Sequence, residues 1–87
     1  MEGLEKAISE RVSFLKEQIN PQNKLLVNRA FEIQIETIRS ANTGGVAIQI
    51  LRKQKQLEMA KDTDTIERLY TQIEALEWLQ RQVVKFI

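Results

Sequence analysis

A chain of 87 residues with neither cysteine nor histidine lacks the two side chains that most often serve as nucleophile, general base or zinc ligand near neutral pH. What remains for chemistry is three serines, the threonines, Tyr70, the lysines and the carboxylates. Hydroxyls and amines of this kind become nucleophiles only beside an activating base, and no spacing in the chain supplies one. Glu32 and Glu36 would share a helix face, as would Glu10 and Glu17 two turns apart, but paired surface carboxylates are routine on helices. Asp62-Thr63-Asp64 offers two carboxylates without the Asp-x-Asp-x-Asp-Gly loop of a calcium site, so Asp64 reads as a helix cap. The chain is accordingly read as non-enzymatic, with no cofactor and no metal.

Two features could bind an anion. Gly44 and Gly45 stand side by side in Ser40-Ala41-Asn42-Thr43-Gly44-Gly45, and glycine-rich turns at helix starts can cradle phosphate. No Gly-x-x-x-x-Gly-Lys or Gly-x-Gly-x-x-Gly pattern surrounds them. A joint between helices accounts for Asn42 and the glycines better, with a left-handed residue most easily supplied by Gly or Asn; alanine at Gly44 is then expected to destabilise. The second feature is basic: Arg52, Lys53, Lys55 and Lys61 against Glu58 give residues 42–61 a charge of +3. With Gly44 and Gly45, the residues Arg52, Lys53 and Lys55 form the candidate site for a phosphate-containing ligand or nucleic acid. Against that use, residues 62–77 carry five acidic side chains and one arginine, a complement within the chain itself. No aromatic stands in the basic segment to stack on a base.

The elements that would position these groups read as helices. Leu4, Ala7, Ile8, Val12, Leu15 and Ile19 recur at three-and-four spacing, and the helix they define should stop at Asn20-Pro21. The same pair could start the next helix, Asn20 as cap and Pro21 in its first turn, running to Ala41 with a stripe of Val27, Phe31, Ile35 and Ile38. The alternation Phe31-Glu32-Ile33-Gln34-Ile35, with Val46, Ile48 and Ile50 beyond the glycines, keeps a hairpin around Gly44-Gly45 as the alternative. A third helix would carry Ala47, Ile50, Leu51, Leu57 and Ala60 on one side. The fourth opens at Asp64-Thr65-Ile66-Glu67, a capping-box pattern, and continues as Ile66, Leu69, Ile73, Leu76, Gln80, Val83 and Ile87, a heptad broken only by Gln80.

These elements predict an all-α bundle of three or four helices in one domain, residues 1–87, with an α+β hairpin fold as the alternative. Without disulfides or zinc, packing or self-association must stabilise so small a core. The C-terminal helix has more apolar surface than one chain easily hides, which marks Ile73, Leu76, Trp78, Leu79, Val83 and Phe86 as a protein interface. Trp78 could equally pack on the first helix of its own chain. The expected function is a homo-oligomeric protein-interaction module, at least a dimer, acting as a regulator or inhibitor by covering a surface on another protein. No apolar run reaches membrane length, and a cytoplasmic location is expected. A net charge of +1 gives no global pull toward nucleic acid or anionic lipid.

Overall fold

The computed structural model describes residues 2–86. Ile87, the last position of the expected heptad, lies outside the described residues. The described residues form four helices and no strand: α1 (Glu2–Gln18), α2 (Leu25–Ser40), α3 (Val46–Met59) and α4 (Thr63–Phe86), with a 3-10 turn over Thr43–Gly45 before α3. The protein is an all-α bundle, and the hairpin alternative is excluded for these residues.

The alternation that imitated a strand has a helical cause. Residues two apart on a helix point about 200° apart around its axis, so burying both Ile33 and Ile35 requires neighbours on two sides. α2 has them. Ile33 lies against the start of α4, beside Arg68 and Thr71, while Ile35 and Ile38 pack with Val12 and Leu15 of α1 and Ala75 of α4.

The turn between α1 and α2 departs from expectation. α2 begins at Leu25, with Lys24 in the cap position and no side-chain capping bond; Asn20 and Pro21 do not start it. They form a turn instead: Asn23 N donates to Asn20 O at 3.0 Å and Gln22 N donates to Asn20 Oδ1 at 2.8 Å, with proline at its favoured second position. Two further asparagines lock it. Asn23 Nδ2 donates to Gln18 O at 2.8 Å, satisfying a carbonyl at the end of α1. Asn28 reaches back from α2, donating to Asn20 O at 2.8 Å and accepting from Asn20 N and Asn23 Nδ2. These bonds outnumber what a cap at Asn20 would make.

At the start of α4 the cap is Asp62 rather than Asp64. Thr65 N donates to Asp62 Oδ1 at 3.0 Å, Ile66 N donates to Asp62 O at 3.1 Å, and the Thr65 hydroxyl donates to Asp62 Oδ2. The cap is displaced by two residues because Thr65, three positions after Asp62, donates both its N–H and its hydroxyl to the Asp62 carboxylate, whereas the box expected at Asp64 needed Glu67 to accept from the cap's own N–H. The Thr65 hydroxyl, then its backbone N–H, holds the Asp62 carboxyl below the ordinary value near 3.8.

α4 is the central element. Its 24 residues extend about 36 Å at the helical rise and set the long axis of a flat molecule, 38 × 34 × 16 Å. α1, α2 and α3 all pack on α4, and α1 also packs on α2. Among the described residues α3 packs on α4 and the 3-10 turn alone. α2 runs alongside α4 in the same direction, Ile33 near Thr71 and Ser40 near Leu76. α1 runs opposite, Gly3 beside Phe86 and Arg11 beside Trp78. α3 returns along α4 by the short Ala60–Asp62 connection, placing Val46 and Ile50 with Leu76 and Leu79. The stripe that α3 buries is thus Val46 and Ile50, with Leu57 half-buried, while Ala47 and Leu51, expected inside, face solvent.

The glycine joint is real but not left-handed. No described glycine has a positive φ; Gly45 sits at φ −128, ψ 24. Asn42 makes the bend instead, accepting from Gly44 N through Oδ1 at 3.0 Å and from Gly45 N through its carbonyl at 2.9 Å. The premise for destabilisation by alanine at Gly44 is removed.

Candidate functional site

The heptad of α4 is largely consumed within the chain. Leu69, Ile73 and Leu76 are buried, as is Leu79 beside them, because the three other helices cover the stripe. Of the expected interface residues, Ile73, Leu76 and Leu79 therefore belong to the core. Val83 is half-buried against the cluster of Val46, Ile50, Leu76 and Leu79. Phe86 packs over Gly3, so closely that a Cβ there would lie 2.7 Å from its Cδ1.

Trp78 packs on α1 of its own chain. The Arg11 guanidinium lies 5.3 Å from the Trp78 ring centroid and 5.4 Å from that of Phe14, held between two aromatic faces. Its Nε is buried with no hydrogen-bond partner among the described residues, and the ring faces partly offset the lost hydration. Arg81, three residues on along α4, is exposed.

The expected anion-binding residues do not converge. The amides a phosphate cradle would use, those of Gly44 and Gly45, are both donated to Asn42. Arg52 and Lys53 instead line a groove of about 280 Å³ between α2 and α3, with Thr37, Ser40, Gln49, Gln56, Gln72 and Leu76; Gly44, Gly45 and Lys55 are outside it. The Thr37 and Ser40 hydroxyls donate to Ile33 O at 2.7 Å and Glu36 O at 2.8 Å, so both can only accept from a ligand. Gln49 Oε1 accepts from Asn42 N at 3.3 Å, which leaves its NH₂ to donate. The groove thus sets donors on α3 against acceptors on α2. Lys55 is exposed on the outer side of α3.

No group of three or more acidic side chains comes together to hold a metal among the described residues, and Asp62 is engaged as a cap. No helix of the described residues is long and apolar enough to cross a membrane. No protein-family model, curated protein or solved structure matches the chain.

What sequence reasoning missed is the outer surface of α3. Ile48, Leu51 and Met59 are 56%, 58% and 81% exposed, with Arg52 and Lys55 among them. The signal was present in the helical angles. With Val46 and Ile50 facing inward, Ile48 and Met59 must point away from the core.

Proposed function

We propose that this protein is a non-enzymatic interaction module, a small self-associating regulator or inhibitor that works by covering a surface on another protein. The supporting observation is α3, which rests on one helix and leaves three large apolar side chains in solvent. Large apolar residues grouped on one helix of a small chain mark interaction surfaces. The interface assigned from sequence to the C-terminal seam accordingly moves to α3.

The test is the mass of the particle in solution. Light scattering should show association of the 10.1 kDa chain at micromolar to millimolar concentration. The double substitution Ile48→Asp with Leu51→Asp should return it to monomer with its helical spectrum intact, since both positions are exposed and the new charges would be stranded in an interface. A wild-type monomer throughout that range rejects self-association.

A second reading rests on the α2–α3 groove, where Arg52 and Lys53 would hold a phosphate-bearing ligand or nucleic acid. It requires binding that falls steeply with added salt and is lost in Arg52→Glu with Lys53→Glu.

A further inference from the structure

α4 carries a second stripe that its own chain leaves uncovered. Displaced by one position from the core heptad, Tyr70, Glu74, Glu77 and Arg81 follow one another at spacings of four, three and four, and all are exposed. Tyr70 is 61% exposed despite its size. On α3 the outer residues Ile48, Arg52, Lys55 and Met59 repeat the same spacing, and these four are exposed as well. Residues so spaced form one nearly straight line along a helix. Each line has two like charges at its centre, cations on α3 and carboxylates on α4; the ends are Ile48 and Met59 on α3, and Tyr70 and the cation Arg81 on α4.

Within one chain the two lines cannot meet, since α3 already rests on α4 through Val46 and Ile50, the opposite side of the helix from Ile48 and Met59. Between copies the charges discriminate among pairings. α3 against α3 brings Arg52 and Lys55 onto their own duplicates. α4 against α4 does the same with Glu74 and Glu77. Both symmetric pairings place like charges opposite one another, which is unfavourable. α3 against α4 places two cations on two carboxylates and covers Ile48, Met59 and Tyr70. The four-three-four spacing reads the same in both directions, so the charges match whether the helices run parallel or antiparallel.

We infer that the copies associate head to tail, the outer stripe of α3 in one chain lying on the Tyr70–Arg81 stripe of α4 in the next. This rests on the self-association proposed above and specifies its geometry. Because the two contacting surfaces differ, the copies either close reciprocally, α3 of each on α4 of the next in a ring whose smallest member is a two-fold dimer, or extend as an open filament with a free α3 at one end and a free α4 at the other.

Charge reversal tests this directly. The variants are Arg52→Glu with Lys55→Glu, Glu74→Lys with Glu77→Lys, and the fourfold combination, each checked for helicity by circular dichroism and sized by sedimentation across a concentration series. Wild-type mass should rise above the monomer with concentration and fall with added salt. Each double variant should associate roughly tenfold or more weakly, and both the equimolar mixture of the two and the fourfold variant should regain association. If a double variant loses helicity, Lys55→Glu replaces it and should weaken association; recovery on adding Glu77→Lys marks parallel helices, recovery on adding Glu74→Lys marks antiparallel ones, and recovery with neither overturns the contact. Association unaffected by reversal, or no recovery in the fourfold variant, overturns the α3–α4 contact while leaving the interaction module standing. A wild-type monomer removes both.

Discussion

α1, α2 and α4 close on one another, whereas α3 leans on α4 and the 3-10 turn alone. The burial pattern follows. α1 buries Leu4, Val12 and Leu15 and α2 buries Ile33, Ile35 and Ile38, while α3, nearly as long as α2, buries Val46 and Ile50. Apolar area removed from water stabilises by about 25 cal/mol per Å², so α3 is the element held by least. Its outer surface leaves Ile48, Leu51 and Met59 in solvent. In this small bundle α1, α2 and α4 share one core cluster, and α3 joins the others through α4.

The comparison can be broken most forcefully in the two core clusters. Leu15 is 1% exposed and packs with Val12, Ile35, Ile38 and Ala75; Ile50 packs with Val46, Leu76 and Leu79 beneath α3. Leu15→Ala should cost about 2 to 5 kcal/mol and lower protection against amide hydrogen exchange in all four helices, because it loosens the part on which everything rests. Ile50→Ala removes a comparable volume but should speed exchange chiefly across Val46–Met59, leaving α2 protected, since α3 can open locally. Equal loss of protection in α2 and α3 after Ile50→Ala would show that the two regions unfold as one unit.

How far the sequence reveals this arrangement depends on the kind of signal. The helices of α1 and α4 were legible because their apolar residues keep one period over several turns, as in Leu69, Ile73 and Leu76. α2 was harder. It is buried on two sides, and a two-sided helix produces the alternation of a strand at Ile33 and Ile35. Turn chemistry was partly legible: Pro21 and Asn42 marked the bends, but which asparagine bonds to which amide depends on the approach of Asn28 from the next helix. Ile73, Leu76 and Leu79 read as an interface and lie in the core for a related reason. A stripe of apolar residues on α4 cannot disclose whether neighbouring helices of its own chain or a second molecule covers it, and only the packing of α1, α2 and α3 decides that.

The joint between the two regions offers a smaller effect whose sign is informative. Gly44 and Gly45 have ordinary negative φ, and a Cβ added at either would meet its nearest neighbour, the Asn42 side chain, at 3.5 and 3.7 Å, normal contact distances. Alanine costs nothing there in the folded state and reduces the freedom of the unfolded chain. Gly44→Ala and Gly45→Ala should each stabilise by about 0.4 to 1 kcal/mol in urea unfolding. Destabilisation by 1 kcal/mol or more at either would mean that the joint needs a backbone conformation closed to alanine, and that α3 is set at its angle by the glycines rather than by Asn42.

The weakest effect lies at the other end of α3, where Asp62 starts α4. Its carboxyl is held below the ordinary carboxylate value by the hydroxyl and N–H of Thr65. A group whose pKa is lower folded than unfolded binds its proton more weakly in the native state. Its contribution is therefore complete above the unfolded value near 3.8, and disappears as the pH falls through the folded value. Asp62→Asn keeps a capping oxygen for Thr65 N but removes the charge and the titration. Asp62 is fully exposed, so the gap in melting temperature between wild type and Asp62→Asn should be small at pH 7 and should close on acidification below pH 3.8. A gap that persists unchanged down to pH 2 would assign the contribution to the shape of the cap and not to its charge. Asp62→Ala, which lacks both, should stay below the other two at pH 7 and continue to trail Asp62→Asn in acid, isolating the hydrogen bond to Thr65 N as the part of the cap that does not titrate.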